Sequence, residues 1–297
     1  MSAVITIGNF DGVHRGHLAL VSRATAEGLR RGIPTLALTF DPHPAAVLRP
    51  EAVPAALQSL EDRVAALAAS GCDQVEVLTF DADMANRSPH DFVTDVLVAR
   101  FHAAHVVVGT NFRFGADAQG DVATLCDLGA AHGFTVDAVG LVDVGDGPVS
   151  SSALRTLLTH GDIAAVTRGL GRRYALDGEV VAGDGRGRTL GVPTANVAVD
   201  ARRALPADGV YACWASTATA SLLPAVVNIG WRPTFAGGSR TVEAHLMVSD
   251  EPQLYGQRLE LAFVARIRGE ERFDGPDALV ARIHQDMTAA RRLLDHA

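Results

Sequence analysis

The sequence predicts an α/β chain in two parts: a parallel sheet with helices on both faces, then an antiparallel β-barrel closed by a C-terminal helix. Three observations predict this. The first half alternates short β-rich runs with helical stripes through five units. The polar clusters of that half fall directly after its strands, where ligands of open parallel sheets bind. Beyond about residue 174 the long amphipathic stripes stop, and short alternating runs with Gly/Pro turns replace them.

In chain order, "VITIG" (4–8) reads as the first strand and "HLALVSRATAEGLRRG" (17–32) as a helix with the stripe Leu18, Val21, Thr25, Leu29. "IPTLALTF" (33–40) is nearly all apolar, as a strand covered on both faces should be. Helices near 59–70, 89–101 and 122–132 then alternate with strands near 74–78, 105–109 and 134–139. "VSSSALRTLL" (149–158) opens a further helix on serines, and the domain boundary falls at 160–172, giving domains 1–165 and 166–297. In the second half, 177–199 mixes strands with glycine turns, and 209–216, 223–230, 241–248 and 258–267 read as strands. In "TVEAHLMV" (241–248), Val242, Ala244, Leu246 and Val248 share one face, and Glu243, His245 and Met247 the other. Residues 276–296 form the closing helix, with Leu279, Ile283, Met287, Ala290 and Leu294 facing the barrel.

Composition narrows the function classes. The 297 residues are 48 % hydrophobic and 20 % charged, an ordinary globular balance. A formal charge of -8 argues against nucleic acid as partner but leaves room for a small anionic ligand. Cys72, Cys126 and Cys213 form no CxxC and read as buried free thiols of a reducing compartment. No run of 18 apolar residues occurs and "MSAVITI" is no signal peptide, so a cytoplasmic protein without membrane contact is expected. A homo-oligomer is compatible with all of this.

The chemistry of the first half centres on "GNFDGVHRGH" (8–17). His14 and His17 are three apart and would share a helix face, with Gly16 between them letting a ligand approach the backbone. A helix start favours an anion, and imidazoles can donate to a polyphosphate. Asp11 could complete a metal set, although hard Mg²⁺ rarely chooses imidazole. A plain turn with solvated histidines is the other reading of this short pattern.

The full string resembles one family, the prokaryotic bifunctional riboflavin kinase/FAD synthetase. "TIGNFDGVHRGH" (6–17) looks like its version of the nucleotidylyltransferase HxGH motif, and "TFDPHP" (39–44), "VVGTNFRFG" (107–115) and "SSSALR" (150–155) match its next blocks in order. The resemblance implies a nucleotidylyltransferase-like, Rossmann-like domain that moves AMP from ATP onto FMN, giving FAD and pyrophosphate. Gly8, Asn9, Phe10 and Asp11 would belong to the nucleotide loop, and His14 and His17 would hold ATP phosphates. Asn111 would lie in the nucleotide or flavin pocket. Ser150, Ser151 and Arg155 would grip phosphates through hydroxyls and a planar fork. Ser152 stands where the family usually has threonine, and the placing of Asp117 stays open.

In the second half, "GDGRGRTLGVPTAN" (183–196) lacks GK[ST] and is no Walker A loop. Read alone it is either a glycine-rich hairpin or a phosphate cradle, with a Thr hydroxyl and an Asn oxygen suited to Mg²⁺. It closely resembles the flavokinase signature, with "GVYA" (209–212), "VVNIGWRPTF" (226–235), "VEAHL" (242–246) and "LYGQRLELAFVARIRGEERF" (254–273) as companions. The similarity implies phosphoryl transfer from ATP to the 5′-hydroxyl of riboflavin on a flavokinase-type antiparallel β-barrel. Gly185, Gly187, Arg188, Gly191 and Pro193 would form the cradle, Thr194 and Asn196 would hold metal and phosphates, and Glu243 would be the base. Glu270 and Glu271 read as a solvated charged turn, and Met247 and Trp214 as packing. Ala182 and Arg173 depart from the family's histidine and proline. Three other readings stand beside the bifunctional enzyme: one active module only, a non-catalytic flavin-binding regulator or carrier, or another adenylyl- or cytidylyltransferase with an appended barrel, against which the paired motif sets argue.

Overall fold

The computed structural model describes residues 2–145, 147–183, 191–232, 239–248 and 253–296. The chain divides into two compact units, Met1–Ser151 and Ser152–Ala297.

The first unit holds strands β1 (Ala3–Ile7), β2 (Thr35–Asp41), β3 (Gln74–Thr79), β4 (Ala103–Gly109) and β5 (Thr135–Val139). They order as β3-β2-β1-β4-β5, and every pair is parallel. Helices α1 (Arg15–Arg31), α2 (Pro44–Leu48), α3 (Leu60–Ala69), α4 (Phe92–Arg100, with π geometry) and α5 (Val122–His132) make the crossovers. Alternation along the strands feeds two cores. Ile5, Ile7, Leu38, Val106 and Val108 pack against Phe92, Leu97 and Leu125 of α4 and α5. On the other face, Val4 and Val107 meet Ala24 of α1, while Ala37 packs with Val21 of α1 and Leu67 of α3. Chain direction reverses its progress across the sheet between β1 and β4. That is the switch point where the loops after two neighbouring strands diverge and leave a crevice.

Two expectations need correction. The buried face of α1 runs through Val21, Ala24, Glu27 and Gly28, and Leu29 is 87 % exposed. Small residues face the sheet because the helix lies close: a Cβ at Gly28 would fall 2.3 Å from Thr35 Oγ1. Cys72 and Cys213 are buried, but Cys126 is exposed on α5.

The second unit contains nearly all of α6 (Ser151–His160), which opens on the last residue of the first unit, then α7 (Ile163–Leu170). Strands β6 (Ala175–Val181), β7 (Ala195–Val199), β8 (Gly209–Ser216), β9 (Leu223–Arg232), β10 (Ser239–Leu246) and β11 (Arg258–Arg268) follow. They close a barrel in the order β10-β7-β6-β11-β8-β9, with every pair antiparallel. Phe263 sits between Tyr174 and Tyr211 in the interior, and the three are almost wholly buried. Helix α8 (Pro276–Leu294) covers part of the outside, where Ala290 and Leu294 meet Val210, Ala212, Val226 and Met247. Burying one leucine in this way contributes roughly 1.5–3 kcal/mol. Trp214 and Met287 pack against the same cluster, so Met247 and Trp214 are packing residues. Arg268 of β11 donates to the buried carboxylate of Asp286 at 2.8 Å, which fixes α8 along the barrel.

Candidate active sites

In the first unit the loop after β1 is built on unusual backbone. Phe10 (φ 50°), Gly12 (φ 87°) and Val13 (φ 36°) are all left-handed, and Phe10 and Val13 are fully buried. A β-branched residue at positive φ is a strained conformation of the kind that collects at ligand sites. Gly8 precedes the turn, and a Cβ there would press to 3.3 Å from the Phe10 ring. The loop delivers the chain into α1 with His14 as N-cap, in place of the usual hydroxyl or carboxamide residue. His14 Nδ1 accepts from His17 N–H at 3.3 Å, so the proton of the neutral ring sits on Nε2. The two imidazoles stack with centroids 3.6 Å apart, and Phe10 meets His17 edge-on. Burial first, then the neighbouring His14, hold the proton affinity of His17 well below the usual imidazole value. Its Nδ1 is buried without a hydrogen-bond partner.

Distant loops converge here. Ser151 Oγ donates to the carbonyl of Asp11 at 2.8 Å across 140 residues of sequence. A Cβ at Gly16 would touch both the His14 ring and Val149. Asn9 Nδ2 reaches toward Nε2 of His43 in "DPHP", at 3.5 Å. Asp11 faces into the protein: its carboxylate accepts from the N–H groups of Leu57 and Gln58 and anchors that segment. Ser150 is exposed just before α6, and Arg155 is half-buried one turn into it. Asn111 is exposed in the loop after β4, its Oδ1 lying over Gly109. Among the described residues no three His, Cys, Asp or Glu side chains are grouped to hold a metal, so Asp11, His14 and His17 are no metal triad.

Arg63 is the residue that sequence reading missed. It looks like a helix-surface arginine in "SLEDRVAAL", yet it is only 7 % exposed. Its guanidinium donates to the carbonyls of Asn9 (2.8 Å) and Phe40 (3.1 Å), tying the ends of β1 and β2 together. Burial lowers its proton affinity, and the nearby carboxylates of Asp11 and Asp41 oppose that.

In the second unit the site lies on the outside of the barrel. Glu243 on β10 is directly opposite Asn196 on β7 and Asn228 on β9, so three adjacent strands present one polar row. Opposed side chains on such strands start about 5 Å apart. Glu243, Asn196 and Asn228 are each part-exposed. The Asn196 amide lies in a cradle that only glycine permits: a Cβ at Gly183 would fall 2.1 Å from its Nδ2. Gly191 adopts φ 75° at the turn into Pro193 and Thr194. Gly185, Gly187 and Arg188 lie outside the described residues. An open cleft at this end of the barrel is lined by Val180, Pro193, Thr194, Leu246, Leu254 and Tyr255. The oxygen donors of Thr194, Asn196 and Glu243 suit a hard divalent cation. Glu271 pairs with Arg282 at 3.2 Å, as a charged turn should. Glu270 behaves otherwise: its carboxylate lies against Gly230 of β9, where a Cβ would fall 2.2 Å from Oε1, two residues along from Asn228.

A switch-point loop with a histidine-capped helix, followed by a barrel with a polar row beside Gly183 and Gly191, gives the chain two candidate anion-binding sites. Comparison places the chain in a family. The FAD synthetase family model matches residues 1–153 and the riboflavin kinase model residues 170–294. Bifunctional riboflavin kinase/FMN adenylyltransferases are similar along nearly the whole length. The Escherichia coli K12 protein is 38 % identical over 97 % of this chain and 91 % of its own, the Pseudomonas fluorescens protein 39 % over 98 % and 92 %, and the Bacillus subtilis protein 32 % over 98 % and 92 %. A solved structure from Streptococcus pneumoniae, described as a macrolide-efflux protein, is 27 % identical. It covers 98 % of this chain and 94 % of its own, with a TM-score of 0.90. The chain belongs to the bifunctional riboflavin kinase/FMN adenylyltransferase family, phosphorylating riboflavin to FMN and adenylylating FMN to FAD with ATP. Among its described residues no helix is long and apolar enough to cross a membrane.

Proposed function

We propose that residues 1–165 carry FMN adenylylation and residues 166–297 riboflavin phosphorylation, each at the site built above. The observation that carries this reading is the convergence of two separate polar constellations, each inside the span matched by the corresponding family model.

In the first, a phosphate oxygen of FMN attacks the α-phosphorus of ATP, the bond to the β-phosphate breaks, and pyrophosphate leaves. His14 Nε2–H, His17, the start of α1 and the Ser150 hydroxyl donate to the phosphates, while the Ser151 hydroxyl, committed to the carbonyl of Asp11, holds the loop in place. Gly8 to Asp11 shape the loop beneath the nucleotide, and Asn111 stands in the loop after β4, at the same edge of the sheet. No covalent enzyme intermediate is needed, because positioning and charge stabilisation suffice for an oxygen that is already a nucleophile.

In the second, the 5′-hydroxyl oxygen of riboflavin attacks the γ-phosphorus of ATP, its proton passes to the carboxylate of Glu243, and ADP leaves. Gly185, Gly187, Arg188, Gly191 and Pro193 would contact the phosphates, as the resemblance implies, and the open cleft beside Thr194 leaves room for the nucleotide. Thr194 and Asn196 would hold Mg²⁺, which when bound offsets the charge of the phosphates. The reading places both reactions in the cytoplasm.

Separate assays on the full chain test the assignment. Glu243→Gln should lower riboflavin phosphorylation about a hundredfold or more and leave FMN adenylylation at the wild-type rate. His17→Ala should do the reverse, by a similar factor. Equal damage to both activities in a folded variant would overturn the division of labour.

A further inference from the structure

His245 stands two residues beyond Glu243 on the same outer row of β10, and its ring Nδ1 lies 2.8 Å from the carbonyl oxygen of Pro193. The carbonyl can only accept, so Nδ1 carries the proton. The position of this bond gives it meaning. The β10–β7 ladder pairs Val242 with Val197, Glu243 with Asn196 and Ala244 with Ala195, and goes no further. Pro193 has no N–H with which to extend it. Beyond the last rung, the imidazole replaces a backbone donor and binds the chain immediately before Thr194. On one side the strand holds Asn196 opposite Glu243; on the other, His245 fixes the residue before Thr194. Thr194 is thereby bracketed between a ladder rung and a side-chain clamp.

We propose that His245 is a positioning residue of the kinase site, setting Thr194 relative to Asn196 and Glu243 so that the three oxygen donors meet one cation–phosphate group. This rests on the reading above that Thr194 and Asn196 hold Mg²⁺ and phosphates. Outer-shell partners that orient ligands in this way change metal affinity by about 10- to 100-fold when removed. Asparagine can place an amide N–H near the position of the imidazole Nδ1–H, whereas leucine fills space without a donor. The bond is therefore separable from the bulk of the side chain.

The test uses the full chain with Mn²⁺ as the spin-active probe, titrated in the presence of ADP and FMN and followed by electron paramagnetic resonance. Mn²⁺ bound by the adenylyl-transfer half is common to all variants, so differences report the barrel. His245→Leu should weaken the barrel's Mn²⁺ binding about tenfold and raise the KM for Mg·ATP in riboflavin phosphorylation. His245→Asn should stay near wild type in both, and the FMN adenylylation rate should not change in either. Thr194→Ala is the control for the underlying reading. If it leaves Mn²⁺ binding unchanged, the metal assignment fails and the proposal with it. If Thr194→Ala weakens binding while His245→Leu does not, the positioning role alone is wrong. Equal losses in His245→Leu and His245→Asn would also overturn it, because the donor would then not matter.

Discussion

His17 shows what a single residue contributes and what it costs. Burial and the stacked His14 ring hold it in the neutral form, well below the usual imidazole range. The unfolded chain therefore binds a proton that the folded chain refuses. The stability His17 permits is complete above its ordinary value of 6.5 and is lost as pH falls below it, toward the lowered folded value. Denaturant unfolding of the ligand-free chain at pH 7.5 and at pH 5.5 should show a loss at the lower pH, and His17→Gln should show a smaller one. An identical loss in the variant would mean that the ring protonates freely in the fold. The histidines were legible as residues of interest because two imidazoles three apart beside glycine is an uncommon pattern. Their electrostatic state was not legible, because it depends on Phe10, on the ring of His14 and on a backbone turned left-handed at Val13. Arg63 was invisible for a related reason: an arginine in a helix reads as solvent-facing until the carbonyls of Asn9 and Phe40 are seen beneath it.

At the scale of elements, β10 and α1 mark the reach of pattern reading. Alternation in "TVEAHLMV" assigns faces correctly, since Val242, Ala244 and Leu246 are buried inside and Glu243 stands on the outer row. A two-residue period leaves no choice of face once one side is apolar. In α1 the same logic followed the bulky residues and took in Leu29, whereas close approach to the sheet selects Ala24 and Gly28. Size complementarity between helix and sheet is a tertiary property that hydrophobicity alone does not encode. Register across strands was likewise beyond the sequence, and it is register that sets Asn196, Glu243 and Asn228 side by side. It also brings Glu270 against Gly230 on the same face, as a second carboxylate near the row. Two carboxylates raise the question of which one takes the proton. Only Glu243 is a member of the row itself, and Glu270 is an exposed side chain reaching in from beyond β11. Glu270→Gln should accordingly reduce riboflavin phosphorylation by less than about tenfold, against the hundredfold or more expected of Glu243→Gln. Initial rates at saturating ATP compare the two, and a larger loss in Glu270→Gln would move the base to that residue.

At the scale of the whole molecule, each unit closes its own core. The sheet is sealed on both faces by its crossover helices, and the barrel closes β10-β7-β6-β11-β8-β9 on itself, leaving no unpaired edge strand among the described residues, and carries α8 on its outside. FMN made in the first reaction has to reach the adenylyl-transfer site as a molecule. The family likeness explains why both activities occur in one chain, since FMN is the product of the first reaction and the substrate of the second. It does not require FMN to stay bound in between. FMN released to solution is an ordinary substrate for any other copy. A mixture of His17→Ala and Glu243→Gln chains should therefore convert riboflavin to FAD, although neither variant alone does so at an appreciable rate. FMN should accumulate first and FAD should follow after a lag. Raising the concentration of the Glu243→Gln chain, which supplies the intact adenylyl-transfer site, should shorten that lag. Chromatographic separation of riboflavin, FMN and FAD over time reads all three quantities. If the mixture makes no FAD while each variant retains its remaining activity on added substrate, FMN is held where it forms and the two sites do not operate independently.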